Sequence, residues 1–394
     1  MIPHFWGMDI HKDYVMVAAV DDAQQMILPP TRVEMADLAR WARRHLRPCD
    51  EIVLEAGPNT WAVADLLKVQ AGRVVVANPY KTRLIAEAQI KNDKVDASVL
   101  ARLLAARFIC EVWVPDAPVR EQRALAAHRA TLQKQCTRIK NRLHNLLYRH
   151  NLRCPQQSLF STAGRHWLLT LQLPQLDLLQ ARHLLSQLDV LQKELDETDR
   201  LIAQLASQDP RVPRLMQVSG IGYYTAFAIL AAIGPIQRFP SPDKLTAYAG
   251  LVPRQYQSGH HAFNGHITKS GSPLLRWLMV EAARVAVRCD PYWRQVYQRI
   301  ATRRGCNIAC VAVARELLVA VWYLLTRQAT YYHLQPQTFI TKLQEWAYRI
   351  GRAHLPATSS KEFVQQHLSA LGLHDLANSL TVRGRNGRLR VQTA

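Results

Sequence analysis

No apolar run in this 394-residue chain is both long and free of charge. The most apolar stretch, IACVAVARELLVAVWYLL at 308–325, carries Arg315 and Glu316 in its middle, which predicts a buried helix and not a membrane span. The N-terminal MIPHFWGMDIHKDY has neither an uninterrupted apolar core nor a small-residue cleavage site, so no secretory signal is read and a cytoplasmic location is expected. Cysteine is sparse. The seven thiols are odd in number and scattered, which argues against a disulfide framework and suits a reducing compartment. Cys306 and Cys310 stand at i,i+4, but no second pair matches their spacing, so both are expected as buried structural thiols. Acidic charge is also short: 30 Asp and Glu face 50 Lys and Arg, a net charge of +20. That imbalance favours nucleic acid as the partner over an anionic membrane.

With 48% hydrophobic residues the chain can fill cores in two to four domains. The first 110 residues alternate between strand and helix periods. HFWGMDI, YVMVAAVDD and MILPPTRV read as a strand meander, EMADLARWARRHL as a helix, EIVLEA as a strand, TWAVADLLKVQ as a helix and RVVVANP as a strand. This order predicts an α/β sheet with helices packed on it. Asp9 falls near the end of the first strand and Glu55 at the end of the fourth, while Asp93 and Asp96 open the helix after the last strand. Strand ends and a helix terminus can converge in space, and four acids at one point repel unless a divalent cation lies between them. Hard oxygen ligands suit Mg²⁺ or Mn²⁺. Taken alone, Asp93 and Asp96 also serve as favourable caps for a helix N-terminus. Asp9 is less easily explained that way, since Asp is depleted in strands.

A basic connector follows. Leu132, Cys136, Ile139, Leu143 and Leu146 repeat with 4-3 spacing, and Leu184, Leu188, Leu191, Leu195, Ile202 and Leu205 do so again, predicting two long helices with coiled-coil seams. Residues 118–154 hold nine Lys or Arg and one acid, Glu121. Arg138, Lys140, Arg142 and Arg149 are therefore expected against a nucleic acid backbone, and the less basic second helix suits protein pairing. In VSGIGYYTAFAILAAIG, Gly220 and Gly222 frame Ile221 ahead of an apolar helix. This is the pattern of a helix-hairpin-helix turn, whose backbone N–H groups can hold a phosphate. Residues 247–278 then read as a long polar loop between apolar helices. Its Ser258, Ser270 and Ser272 are all candidate nucleophiles, with Arg254, Lys269 and Arg276 near enough in sequence to neutralise a phosphate.

Three short segments, GMDIHK, VLEAGPNTW and KNDKVDASVLA, together with GLVPRQYQSG and GHITKSGSPLLR, resemble the DEDD transposases of insertion-sequence family one-hundred-and-ten, relatives of the Piv invertase. The resemblance runs from about residue 5 to about 325. It implies a RuvC-like, RNase H fold in which Asp9, Glu55, Asp93 and Asp96 are the metal-binding tetrad, and a mostly helical transposase domain in which Ser258 is the DNA nucleophile. It further implies donor and target DNA as partners, a non-coding bridge RNA as guide, and a dimer of dimers working near the nucleoid. The expected organisation is residues 1–113 for the RuvC-like domain, 114–208 for the coiled-coil connector, 209–330 for the serine domain, and 331–394 for a helical extension ending in the basic Arg383, Arg385, Arg388 and Arg390. Two rival readings stand beside a serine recombinase: a metal-dependent, resolvase-like nuclease with a structural serine, and a non-catalytic nucleic-acid-binding protein.

Overall fold

The computed structural model describes residues 2–85, 93–258, 261–383 and 388–391. The chain divides into two compact units, residues 1–116 and 117–394.

The first unit is built on a six-stranded sheet of order β3-β2-β1-β4-β5-β6. Its strands are β1 Phe5–Ile10, β2 Tyr14–Val20, β3 Met26–Glu34, β4 Glu51–Glu55, β5 Arg73–Ala77 and β6 Glu111–Val112. The meander β1-β2-β3 is antiparallel, β1 pairs with β4 and β4 with β5 in parallel, and β6 closes the edge antiparallel to β5. The sixth strand has no counterpart in the sequence pattern, because two residues are too few to carry a period. Helices α1 (Leu38–His45) and α2 (Thr60–Leu67) cover one face with Trp6, Met8, Ile52 and Leu54. After the short α3 (Pro79–Ile85), α4 (Asp93–Ala105) covers the other face, where Phe5, Val53 and Val75 meet Leu100, Ala101 and Leu104. Both faces are dry, as apolar central strands of a parallel core require.

Asp50 pins the register of the two central strands. It is fully buried and accepts hydrogen bonds from the His4 amide (3.0 Å), Trp6 Nε1 (3.1 Å), and Arg47 through its amide and Nη2 (3.0 Å each). Burial pushes its pKa up, but these donors outweigh that and hold the carboxyl below its ordinary value. With Phe5 opposite Glu51 and Met8 opposite Leu54, Asp9 and Glu55 become the next pair along.

The second unit is almost entirely helical. Its elements are α5 Ala117–Arg149, α6 Thr162–Thr170, α7 Gln175–Ala206, α8 Arg211–Met216, α9 Tyr223–Ile233, α10 Pro242–Tyr248, β7 Pro253–Ser258, β8 His261–Ile267, α11 Pro273–Cys289, α12 Pro291–Arg304, α13 Cys306–Arg327, α14 Pro336–Ile350, α15 Ser360–Ala370, α16 His374–Asn378, β9 Leu380–Arg383 and β10 Arg388–Val391. Helices α5 and α7 pack antiparallel, since Arg129 pairs with Asp199 and Arg149 with Asp177. Cys136, Ile139, Leu143 and Leu146 meet Leu184, Leu185 and Leu188 between them. The α13 helix is long and apolar enough to cross a membrane by length and composition. It is instead the centre of this unit's core, with Val313, Ala314, Leu317, Leu318 and Val321 completely buried.

Three expectations change here. Residues 253–258 and 261–267 are not loop but two paired antiparallel strands, β7 and β8. Their residues are too polar to show alternation, and their cross-strand pair is aromatic, Tyr256 stacked on Phe263 at 4.9 Å. In the basic tail, Leu380–Arg383 and Arg388–Val391 pair as antiparallel strands β9 and β10, with Leu380 and Leu389 buried in the core, while Arg385 lies outside the described residues; Arg388 and Arg390 alternate with apolar residues, which a count of charge alone does not reveal. Finally, Cys310 is buried as expected but Cys306, at the exposed start of α13, is not.

Candidate active-site residues and nucleic-acid interface

Asp9 near the end of β1 and Glu55 at the end of the neighbouring parallel strand β4 lie at the same end of the sheet. Side chains alternate along a strand, so Phe5, Gly7 and Asp9 share the face that α4 covers, as do Val53 and Glu55. Gly7 sets how close that helix comes. A Cβ there would lie 2.1 Å from the Ala97 carbonyl oxygen and 2.5 Å from the Ala101 amide, so only glycine lets the α4 backbone rest on β1. Asp93 is the first residue of α4, and its side chain lies outside the described residues. Asp96 is half-buried one turn before Leu100.

The turns on either side of Asp9 and Glu55 are tied together. Asn59 donates from Nδ2 to the His11 carbonyl (3.0 Å), Thr60 donates from Oγ1 to the Glu55 carbonyl (2.8 Å), and the Gly57 amide donates to the same Thr60 hydroxyl (2.6 Å). Asp9 Oδ2 meets His11 Nε2 at 3.0 Å, and the His11 ring stacks on Tyr14 at 4.5 Å. Among the described residues, no three His, Cys, Asp or Glu side chains gather closely enough to hold a metal ion. Carboxylate oxygens, such as those of Asp9 and Glu55, are the hard donor type that divalent cations take.

In the second unit, Ser258 is the last residue of β7 and pairs with His261; its side chain lies outside the described residues. The other two serines have structural partners. Ser272 caps α11, accepting from the Leu275 amide at 3.2 Å, and Ser270 Oγ donates to Thr268 Oγ1 at 3.0 Å. Arg276 clamps the same segment, donating from Nη1 to the Ala249 carbonyl (3.1 Å) and the Ser270 carbonyl (3.4 Å). Arg254 on β7 and Lys269 after β8 are exposed.

The basic residues of the long α5 differ in their surroundings. On α5, Arg138 and Arg142 are exposed. Arg149 pairs with Asp177 at 3.0 Å, and Lys140 Nζ lies 5.2 Å from the Phe160 ring centre. Two of the nine cations serve the fold: Arg123 donates to the carbonyls of Ala231 (2.7 Å) and Ala232 (2.6 Å), and Arg129 grips Asp199 beneath the Tyr224 ring.

The turn between α8 and α9 separates its two glycines by role. Gly220 has φ +85°, and a Cβ there would lie 2.1 Å from the Ala282 carbonyl, so it serves the approach of α11. Gly222 is the N-cap of α9, without a side-chain cap, and a Cβ there would meet nothing within 4 Å. One contributor to this turn escaped the sequence reading. Lys342 of α14 donates from Nζ to the carbonyls of Val218 (2.9 Å), Ile221 (3.0 Å) and Met216.

Residues 6–151 match the family model described as a transposase with a DEDD motif, and residues 212–298 match that of the transposase IS116/IS110/IS902 family. The transposase for insertion sequence element IS1111A of Coxiella burnetii is 28% identical over 352 residues, covering 82% of this chain and 90% of its own. A probable family 20 transposase of Pseudomonas aeruginosa is 28% identical over 351 residues, covering 82% of this chain and 97% of its own. The transposase for insertion sequence element IS1328 of Yersinia enterocolitica is 26% identical over 251 residues, covering 60% of this chain and 72% of its own.

Proposed function

Because this chain belongs to the IS116/IS110/IS902 transposase family, we propose that it is a DNA transposase that cuts and rejoins strands through Ser258, with Asp9, Glu55, Asp93 and Asp96 as the acidic half of the site. The observation that carries the reading is the shared sheet face and strand end of Asp9 and Glu55, over which Gly7 admits the helix that begins at Asp93. These four carboxylates would hold Mg²⁺ or Mn²⁺, which when bound polarises the scissile phosphate and assists the leaving oxygen. The Ser258 hydroxyl attacks phosphorus and gives up its proton to solvent as the deoxyribose oxygen departs and is protonated. The product is a phosphoserine ester, which conserves the phosphodiester for attack by the hydroxyl of a second DNA end. That attack restores the serine. Arg254, exposed on the strand that ends at Ser258, and Lys269, exposed just after β8, are suited to neutralising the phosphate.

The partners in this reading are donor and target DNA and a bridge RNA, with phosphates of the guide or of the DNA on the basic face of α5, and the working assembly is a dimer of dimers in which acidic and serine units work across subunits. The +20 net charge suits more than one polyanion.

Ser258→Ala should bind DNA nearly as tightly as the parent, because one oxygen is removed from a cationic surface, and should lose strand exchange. A denaturing gel reads the mechanism directly: the parent protein leaves a protein–DNA adduct and the variant leaves none. Cleavage by the parent without an adduct would mean that water is the nucleophile and Ser258 is structural.

A further inference from the structure

The turn between α8 and α9 closes around a cation that the chain supplies itself. Lys342 belongs to α14, beyond the residues that either family model covers. Its side chain is half-buried with the ammonium enclosed, and the acceptors of Nζ are three backbone carbonyls of one turn, those of Met216, Val218 and Ile221. An ammonium has three protons and a neutral amine only two, so the three-bonded arrangement belongs to the charged form. Burial works against that charge and pulls the pKa down toward about 7, with Cys289 and Glu345 pushing the other way.

The arrangement fixes where the turn's amides point. No described peptide bond is cis, and in a trans peptide the C=O and the following N–H point in opposite directions. With the Val218 and Ile221 carbonyls turned onto Nζ, the N–H groups of Ser219 and Gly222 are turned away from it. Gly222 then opens α9 uncapped, and the first amides of that helix have no acceptor within it. Ser219 is buried, its hydroxyl donating to the buried Asp290 (2.7 Å), so the Gly222 amide and the positive end of α9, with a buried ammonium behind them, are what this turn can offer to an anion.

We propose that Lys342 is the built-in cation of this turn: a positioning residue that draws three carbonyls inward and so aims the Gly222 and α9 amides at a phosphate of bound nucleic acid. This rests on the reading of the turn as a phosphate-binding element. Backbone carbonyl cages also accept small dehydrated cations such as K⁺, so the role is replaceable by an ion once the side chain is gone.

The test uses the full chain, a fluorescein-labelled DNA duplex, and salts of equal ionic strength. In tetramethylammonium chloride, whose cation is too large for the turn, Lys342→Ala should bind about tenfold more weakly than the parent, the size of one charge-assisted phosphate contact. Changing to potassium or ammonium chloride should restore most of that affinity and raise the variant's melting temperature, with the parent indifferent to the cation. Parent-like binding in tetramethylammonium chloride, or a loss that no small cation reverses in binding or melting, overturns the proposal. If Lys342→Ala folds in no salt, Lys342→Met, which keeps the stem, decides: tenfold weaker binding supports the proposal and unchanged binding overturns it. Gly222→Glu tests the underlying reading separately, because the position is extended and open. Parent-like DNA binding by that variant removes the turn from the interface whatever Lys342 does. Loss in Gly222→Glu with cation-independent, parent-like Lys342→Ala removes only the role of the lysine.

Discussion

At the scale of single residues, position 7 sets how closely α4 approaches β1 without carrying any chemistry. Gly7→Ala places a methyl group 2.1 Å from the Ala97 carbonyl, so α4 must retreat from β1 and take Asp93 and Asp96 away from Asp9. Overpacking of this kind costs about 1–3 kcal/mol. The expected outcome is a first unit that still folds, with a lower midpoint in urea, and metal-dependent cleavage reduced far more than stability. Retention of full cleavage would show that the helix position does not matter to the acids. His367 makes a separate point. Its ring stacks on Trp346 and meets Phe363 edge-on at 4.3 Å, and burial lowers its pKa from 6.5 to about 4. Because the folded pKa is the lower one, the unfolded chain binds the extra proton first. The stability of the neutral, packed ring is complete above pH 6.5 and is lost as the pH falls from there toward 4, by at most about 3 kcal/mol. Urea unfolding at several pH values should show that slope in the second unit, and His367→Leu should flatten it.

At the scale of elements, α5 answers whether its charge is for nucleic acid or only for solvent. Changing Arg138, Lys140, Arg142 and Arg149 together to Gln preserves helix propensity and leaves the seam of Cys136, Ile139, Leu143 and Leu146 intact. Each phosphate contact removed should lower the slope of log affinity against log salt by about 0.7–0.9, equally for every sequence tested. Arg149 already pairs with Asp177, so the exposed Arg138 and Arg142 should account for most of the change. An unchanged slope would make the face a solvated one. This helix was legible in the sequence because its apolar period is long and local, and the strands carrying Asp9 and Glu55 were legible for the same reason. What was not legible depends on contacts far apart in the chain. Gly7 is explained by Ala97, ninety positions on, and the α8–α9 turn by Lys342, more than a hundred positions on. The β7–β8 pair hid because its stability lies in backbone pairing and one aromatic stack, neither of which leaves an alternating pattern.

At the scale of the whole molecule, the exposed side of α7 bears on the proposed assembly. Helix α7 buries one side against α5, yet leaves Leu179, Val190 and Leu201 exposed. Their spacing of eleven residues is close to three full turns, so they form a straight stripe about 33 Å long. Leu176, 74% exposed, extends it at the N-terminal end. A stripe of aliphatic side chains on a helix with mixed charge is suited to the same stripe on a second copy, and less so to a phosphate backbone. If the proposed dimer of dimers is held by this stripe, changing Leu179, Val190 and Leu201 together to Lys should give monomers in light scattering, with the melting temperature of the second unit little altered because none of the three is in the core. If acidic and serine residues act across subunits, these monomers should bind DNA and fail to form the covalent adduct. Mixing them with an excess of Ser258→Ala protein should not restore it, since both partners must present the stripe. Monomers that still form the adduct would place the complete reaction within one chain, and an unchanged oligomer would move the subunit contact to another surface.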